Sequence, residues 1–277
     1  MAHPDPKPLE VFYDLAKSPP THDYCNWLAR CEEARLAAGA DSLHIRIVPG
    51  VRRQSPRDVF YSQDRRYWRI QHLLMPLAWL LPSVTDVSIG EGEQTIAYIP
   101  PGGPKPPCLK APAIALDIAR KALPPKPVTI SLRNSLFEPA RNTDNAEWEI
   151  VAGWLQDRGY SPVIVPDAEA DMEGRYTDLP FYHYRAAAYH PALRVAAYEL
   201  AVTNLFICSG VQLLAMYCDI RLHSFKTYLP GIQCMAKEWH ARAGWGPMHK
   251  WPGKAVYWEP DTAEFIISRL ETALPGA

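Results

Sequence analysis

The stretch Pro127–Asp167, PVTISLRNSLFEPARNTDNAEWEIVAGWLQDRGYSPVIVPD, constrains the fold most, because it reads as strand, polar loop, helix and strand in succession. Val128–Leu132 is a short β-rich run whose apolar character stops at Arg133-Asn134. Asp144 then opens a helix with Glu147 three positions on, a capping-box spacing. Ile150, Val151, Trp154 and Leu155 give that helix one apolar face, and Gly159 closes it. Tyr160–Val165 is the next buried strand, so the unit is βαβ, the sheet is parallel and the crossover right-handed. The loop leaving the first strand carries Arg133, Asn134, Glu138, Arg141 and Asn142. Ligands of open α/β sheets bind at that end of a strand.

The other half follows the same grammar. Leu9–Tyr13 reads as a strand with Asp14 the first polar residue after it, and Thr21 as the cap of a helix over His22–Ala38 that Gly39 ends. Ser42–Val48 alternates, with Leu43, Ile45 and Ile47 on one face, which makes a second βαβ unit. Tyr67, Ile70, Leu73, Leu74, Leu77 and Leu81 trace a helical stripe, and Val84–Ile89 a strand. Ile99–Pro127 is dense in proline, which deletes backbone donors and fixes φ, and holds a helical insert near Ala113–Ala122. The expected division is therefore 1–112, a proline-rich linker 113–126, and 127–277.

In the second half, Pro191 opens a helix with Leu193, Ala196, Ala197, Leu200 and Ala201 at helical spacing. Leu205–Cys208 is a strand, Ser209-Gly210 a turn and Val211–Tyr217 a helix; Ile220–Phe225 is a further strand ending at Lys226. Asp261 caps a last helix to about Leu274.

Composition removes some functions. The net charge of −1 gives no overall attraction to nucleic acid or an anionic membrane, so any anion site must be local. The six cysteines, at 25, 31, 108, 208, 218 and 234, form no CxxC pair, which favours buried thiols in a reducing compartment over disulfides or zinc. MAHPDPKPLE lacks a secretory pattern and no run of about 18 apolar residues exists, so a cytoplasmic protein is expected, peripheral to a membrane if its acceptor lies there. Arginines 52, 53, 57, 65, 66 and 69, interleaved with Tyr61, Tyr67 and Trp68, fit either a phosphate-bearing ligand or a solvated surface.

ISLRN, followed by ARNTDNAEW and GYSPVIVPD, resembles the start of the donor-binding domain in fucosyltransferase-like and related uncharacterised bacterial glycosyltransferases. NLFICSGVQLLAMY with SFKTY is similar to the strand, Ser/Gly turn and helix that face the sugar nucleotide there. Ser131 stands where a histidine often precedes the arginine of the fucosyltransferase pattern. The resemblance implies an α/β protein of GT-B architecture, with two Rossmann-like domains facing across a cleft and a last helix crossing back to the first. It further implies sugar transfer from a nucleotide-sugar donor to a glycan or other hydroxyl acceptor, with neither metal nor cofactor, in bacterial polysaccharide or surface-glycan synthesis. A nucleotide-sugar epimerase and a non-catalytic sugar-nucleotide or glycan-binding protein are the alternatives.

Such transfer needs a place for two phosphates, a base for the acceptor hydroxyl and a cleft that excludes water. Fixed cations and N–H donors can stabilise the leaving pyrophosphate in place of a metal. Arg133 is the leading candidate, with an ion pair to Glu138 as its structural alternative. Asn134, Arg141, Asn142, Ser209, Gly210 and Lys226 complete the nucleotide-sugar set. Asp14, His22 and Asp23, around the loop after the first strand, are the candidate catalytic bases. Trp245, Trp251 and Trp258 could stack on a sugar or base, or simply pack.

Overall fold

The computed structural model describes residues 7–52, 61–98, 108–175, 179–232, 235–242 and 251–274. Arg53, Arg57, Cys234 and Trp245 lie outside the described residues.

The first sheet is built from β1 (Pro8–Asp14), β2 (Ser42–Val48) and β3 (Val84–Ile89), all parallel and in the order β1-β2-β3. α1 (Tyr24–Ala38) connects the first two and ends at Gly39, whose left-handed φ of 62° suits a residue without Cβ. Thr21 does not cap it: its hydroxyl donates to Asp23 Oδ2 at 2.6 Å, and Asp23 holds the cap position without a side-chain bond to the helix amides. Between β2 and β3, α2 (Gln63–Arg69) runs on through a π turn at Ile70–Leu74 into α3 (Met75–Ala78). Ser62 caps α2 by accepting from Arg65 N.

α4 (Ala113–Ala122) lies on the path to the second sheet. That sheet contains β4 (Pro127–Ser131), β5 (Ser161–Val165), β6 (Tyr182–His183), β7 (Thr203–Ile207), β8 (Leu222–Phe225) and β9 (Lys254–Val256), all parallel. Its order, β6-β5-β4-β7-β8-β9, reverses between β4 and β7. This is the doubly wound Rossmann arrangement, and its switch point is where such sheets bind ligands. The helices are α5 (Asn145–Asp157), α6 (Ala168–Met172), α7 (Ala186–Tyr189), α8 (Pro191–Leu200), α9 (Gly210–Met216), α10 (Lys237–Arg242) and α11 (Ala263–Ala273).

Two apolar cores result. One lies between the second sheet and α5 with α11, through Trp148, Val151, Leu155, Phe225, Ile266 and Leu270. The expected crossing of the last helix back to the first domain is corrected by this packing: α11 lies against α5, with Ile266 and Leu270 in this core. Its cap is Thr262 rather than Asp261; Asp261 instead accepts from Trp148 Nε1 at 3.1 Å.

The other core joins both sheets, running from Tyr13, Trp27, Ile45 and Leu77 to Ala196, Leu213 and Tyr217. Within it α4 buries Ala115 and Ala119 against α8, and the Tyr217 hydroxyl donates to Asn26 Oδ1 at 2.8 Å. Lys254 ends α9 from below, giving its ammonium to the carbonyls of Ala215, Cys218 and Ile220 at 3.2, 2.7 and 2.9 Å. No helix among the described residues is long and apolar enough to cross a membrane.

Candidate functional site between the two sheets

A cleft of about 1020 Å³, its open mouth included, lies between the sheets and takes in the switch point. From the first half it is lined by His22, Tyr61, Trp68, Arg69 and His72 among others. From the second come Arg133, Arg141, Asp167, Glu169, Arg194, Ser209 and Gly210.

Ser209 and Gly210 follow β7, where a short strand must turn at once into α9. Ser209 Oγ is buried and makes no hydrogen bond among the described residues. Gly210 meets His22 across the cleft: a Cβ built on it would lie 3.0 Å from His22 Nδ1 and 3.4 Å from His22 Cβ. The absence of a side chain at 210 is therefore what lets the two halves of the cleft touch. The His22 loop is pinned on both sides, by Tyr13 Oη donating to Pro19 O at 2.7 Å and Arg69 Nη1 donating to Pro20 O at 2.9 Å.

The other two candidate bases stand elsewhere. Asp14 Oδ1 accepts from Ala16 N at 2.8 Å and Oδ2 lies 3.9 Å from Lys17 Nζ, so this carboxylate organises its own turn away from the cleft lining. Asp23 faces Thr21 and is also outside the lining.

Arg133 reaches the cleft but spends its guanidinium on the loop after β4. It donates to Glu138 O at 3.0 Å, to Phe137 O and to Asn142 Oδ1. The Glu138 carboxylate is held instead by Arg141 at 2.7 Å, and Arg141 also donates to Cys208 O at 3.3 Å, beside Ser209. Asn142 zips the same loop through Ser135, accepting from its N–H and donating to its carbonyl, both at 3.0 Å. Lys226 donates to Asn142 O at 2.7 Å and pairs with Asp261 at 3.3 Å, while Asn134 bonds Arg175. Asn134, Asn142 and Lys226 are thus outside the lining, and Arg133, Arg141, Ser209, Gly210 and His22 are the expected residues that the cleft brings together.

Two further arginines line the cleft, Arg194, which the sequence reading did not single out, and Arg69, from the arginine run that it did. Arg194, on the apolar face of α8, is buried and donates to Ala187 O, Tyr198 Oη and Pro166 O at 2.9, 3.1 and 2.8 Å, all neutral oxygens. Tyr198 in turn bonds Ser131 at 2.8 Å, at the end of β4. Nearby Asp167 caps α6 through the amides of Glu169 and Ala170, and burial pushes its pKa up. An arginine amid Leu193, Ala196 and Ala197 was the signal that this helix face meets something polar.

Arg69 belongs to the arginine run set above between a phosphate-bearing ligand and a solvated surface. Its guanidinium lies 4.2 Å over the Tyr61 ring, donates to Tyr61 Oη at 3.1 Å and pairs with Glu169 across the cleft. Arg65 stands beside it, 2.7 Å from Glu173 and 3.1 Å from Glu169. These two arginines of α2 therefore hold α6 and its following turn, and Arg52 bonds the Tyr98 hydroxyl at 3.2 Å. Of the three aromatic candidates, Trp251 packs in the shared core against Tyr217, and Trp258 lies edge-on to His240.

Comparison of the sequence finds no family model and no curated protein that matches the chain significantly. The fold, in contrast, has counterparts among solved structures. One is a glycosyl transferase family 9 protein from Veillonella parvula DSM 2008, at 11% identity and a TM-score of 0.53, covering 98% of each chain. Another is the E. coli ADP-heptose lps heptosyltransferase II, at 11% identity and a TM-score of 0.55, covering 96% of this chain and 98% of that one. Neither is a fucosyltransferase. The chain is similar to both in fold, and its architecture is that of GT-B proteins, two Rossmann-like domains across a cleft.

Proposed function

We propose that the protein is a glycosyltransferase that moves a sugar from a nucleotide-sugar donor to a hydroxyl acceptor in the cleft between its sheets. The observation that carries the reading is the meeting of His22, from the first half, with the Ser209-Gly210 turn at the switch point of the second. A base and an oxyanion subsite must both reach the reacting carbon, and these two groups are neighbours on the cleft lining. The two named structural counterparts are glycosyltransferases, which supports the same reading at the level of fold.

In this mechanism His22 takes the proton of the acceptor hydroxyl as its oxygen bonds the anomeric carbon. The bond from that carbon to the diphosphate oxygen breaks, and the nucleoside diphosphate leaves with the electron pair. The Ser209 hydroxyl has no partner among the described residues to give up and can donate to that oxygen. Arg194, hydrogen-bonded to neutral oxygens beside the Asp167 carboxyl, supplies fixed positive charge, and Arg141, at the Cys208 carbonyl, adds what its pairing with Glu138 leaves. Transfer therefore proceeds without a bound metal; activity that EDTA abolishes and manganese restores would contradict this.

The deciding experiment is a melting-temperature panel of UDP, GDP, CMP, dTDP and ADP with their sugar conjugates, since a ligand bound only by the folded state raises Tm. One nucleotide class should shift Tm, and Ser209→Ala should weaken it by about 1 kcal/mol, the worth of one hydrogen bond. Donor turnover with no acceptor present would favour epimerisation instead. Binding without turnover that His22→Ala leaves unchanged would favour a binding protein.

A further inference from the structure

On the first-half wall of the cleft, Trp68 and His72 form a stacked pair with ring centroids 5.2 Å apart and planes inclined by 27°. The pair straddles the junction where α2 passes into its π turn, an uncommon local widening that recurs at functional sites. Both rings line the cleft; the indole is half-buried and the imidazole exposed. Their helix is tied to the His22 loop by Arg69, the residue next to Trp68, through Pro20 O at 2.9 Å. The shelf and the base are therefore held in one frame.

Charge around the shelf narrows what can sit there. Arg69, which lines the cleft, and Arg65 beside it are already bound to Glu169 and Glu173. A phosphate would have to displace those carboxylates. A neutral pyranose needs no such exchange: its C–H face lies on an aromatic plane while its hydroxyls bond polar groups at the rim. An indole N–H and the imidazole nitrogens are polar atoms that such a pair can offer to those hydroxyls.

We infer that the Trp68–His72 shelf is the acceptor subsite and that the acceptor is a neutral sugar ring. The inference rests on the glycosyltransferase reading for the word acceptor, and on the stacked pair for the ligand class. The test is an array of neutral and phosphorylated oligosaccharides probed with the labelled full-length protein, run beside the nucleoside diphosphate melting panel. Wild type should be retained by one group of neutral glycans. Trp68→Ala and His72→Ala should each cut that signal roughly tenfold or more, and Trp68→Phe by less. His72 is exposed, so its variant keeps the test valid should Trp68→Ala melt early.

Retention confined to phosphorylated glycans, retention indifferent to all three variants, or no retention at all would each overturn the shelf. If a nucleoside diphosphate still shifts Tm in those cases, the donor reading survives alone. Retention of neutral glycans that depends on Trp68, with no nucleotide shift, would keep the shelf and remove the transferase.

Discussion

Arg133 donates to two backbone carbonyls and the Asn142 side chain, and it is only 7% exposed. Removing it leaves those oxygens without a donor, so Arg133→Ala should cost about 3 kcal/mol of stability, read from urea unfolding. Loss of nucleotide affinity with unfolding unchanged would return Arg133 to the phosphate. His223 supplies a pH prediction. Buried in β8 with Nδ1 3.3 Å from the Tyr257 hydroxyl, its pKa falls from 6.5 to about 4 because burial disfavours the imidazolium. The unfolded chain takes up the proton below 6.5 and the folded one only near 4. Stability from this residue is thus complete above the unfolded value and falls, by up to roughly 3 kcal/mol, as pH drops through that window. Unfolding of His223→Gln measured from pH 7 to pH 4 should show a correspondingly shallower decline.

At the scale of elements, α2 and α6 are joined across the cleft by the Arg65, Arg69, Glu169 and Glu173 group. Arg69 and Glu169 are mostly buried, at 10% and 14% side-chain exposure, so screening by salt is weak. A double-mutant cycle on Arg69→Met and Glu169→Gln should give a coupling of about 1 kcal/mol or more. Additive effects would mean that the pair does not hold the cleft.

Local elements were largely legible: Ser42–Val48 and Val84–Ile89 alternate, and Ala113–Ala122 stands between prolines. β6 and β9, of two and three residues, are too short to show any period. The π turn is hidden because its residues keep the same apolar stripe as an α-helix. In the site, Ser209-Gly210 was visible because strand, turn and helix follow one another directly. Arg69 with Glu169 was not, since the two lie 100 positions apart. That Asp14 stands outside the lining was not legible, because the end of a strand fixes where a residue is, not which way its carboxylate turns.

For the whole molecule, the core that runs from Tyr13 and Leu77 to Ala196 and Tyr217 belongs to neither sheet alone. Its loss exposes both halves, so unfolding in urea should be a single transition, with tryptophan fluorescence and far-ultraviolet circular dichroism coincident. Two separated midpoints would show that the halves melt independently. Among the described residues the first sheet has three strands against six in the second, and it borrows α8 and α9 to finish its packing. Grafting is where this matters: a chimera that exchanged only the first βαβ unit for that of another GT-B protein would inherit a foreign inner surface. The α4 and α8 faces would have to travel with it, so the unit of exchange is larger than the sheet it serves.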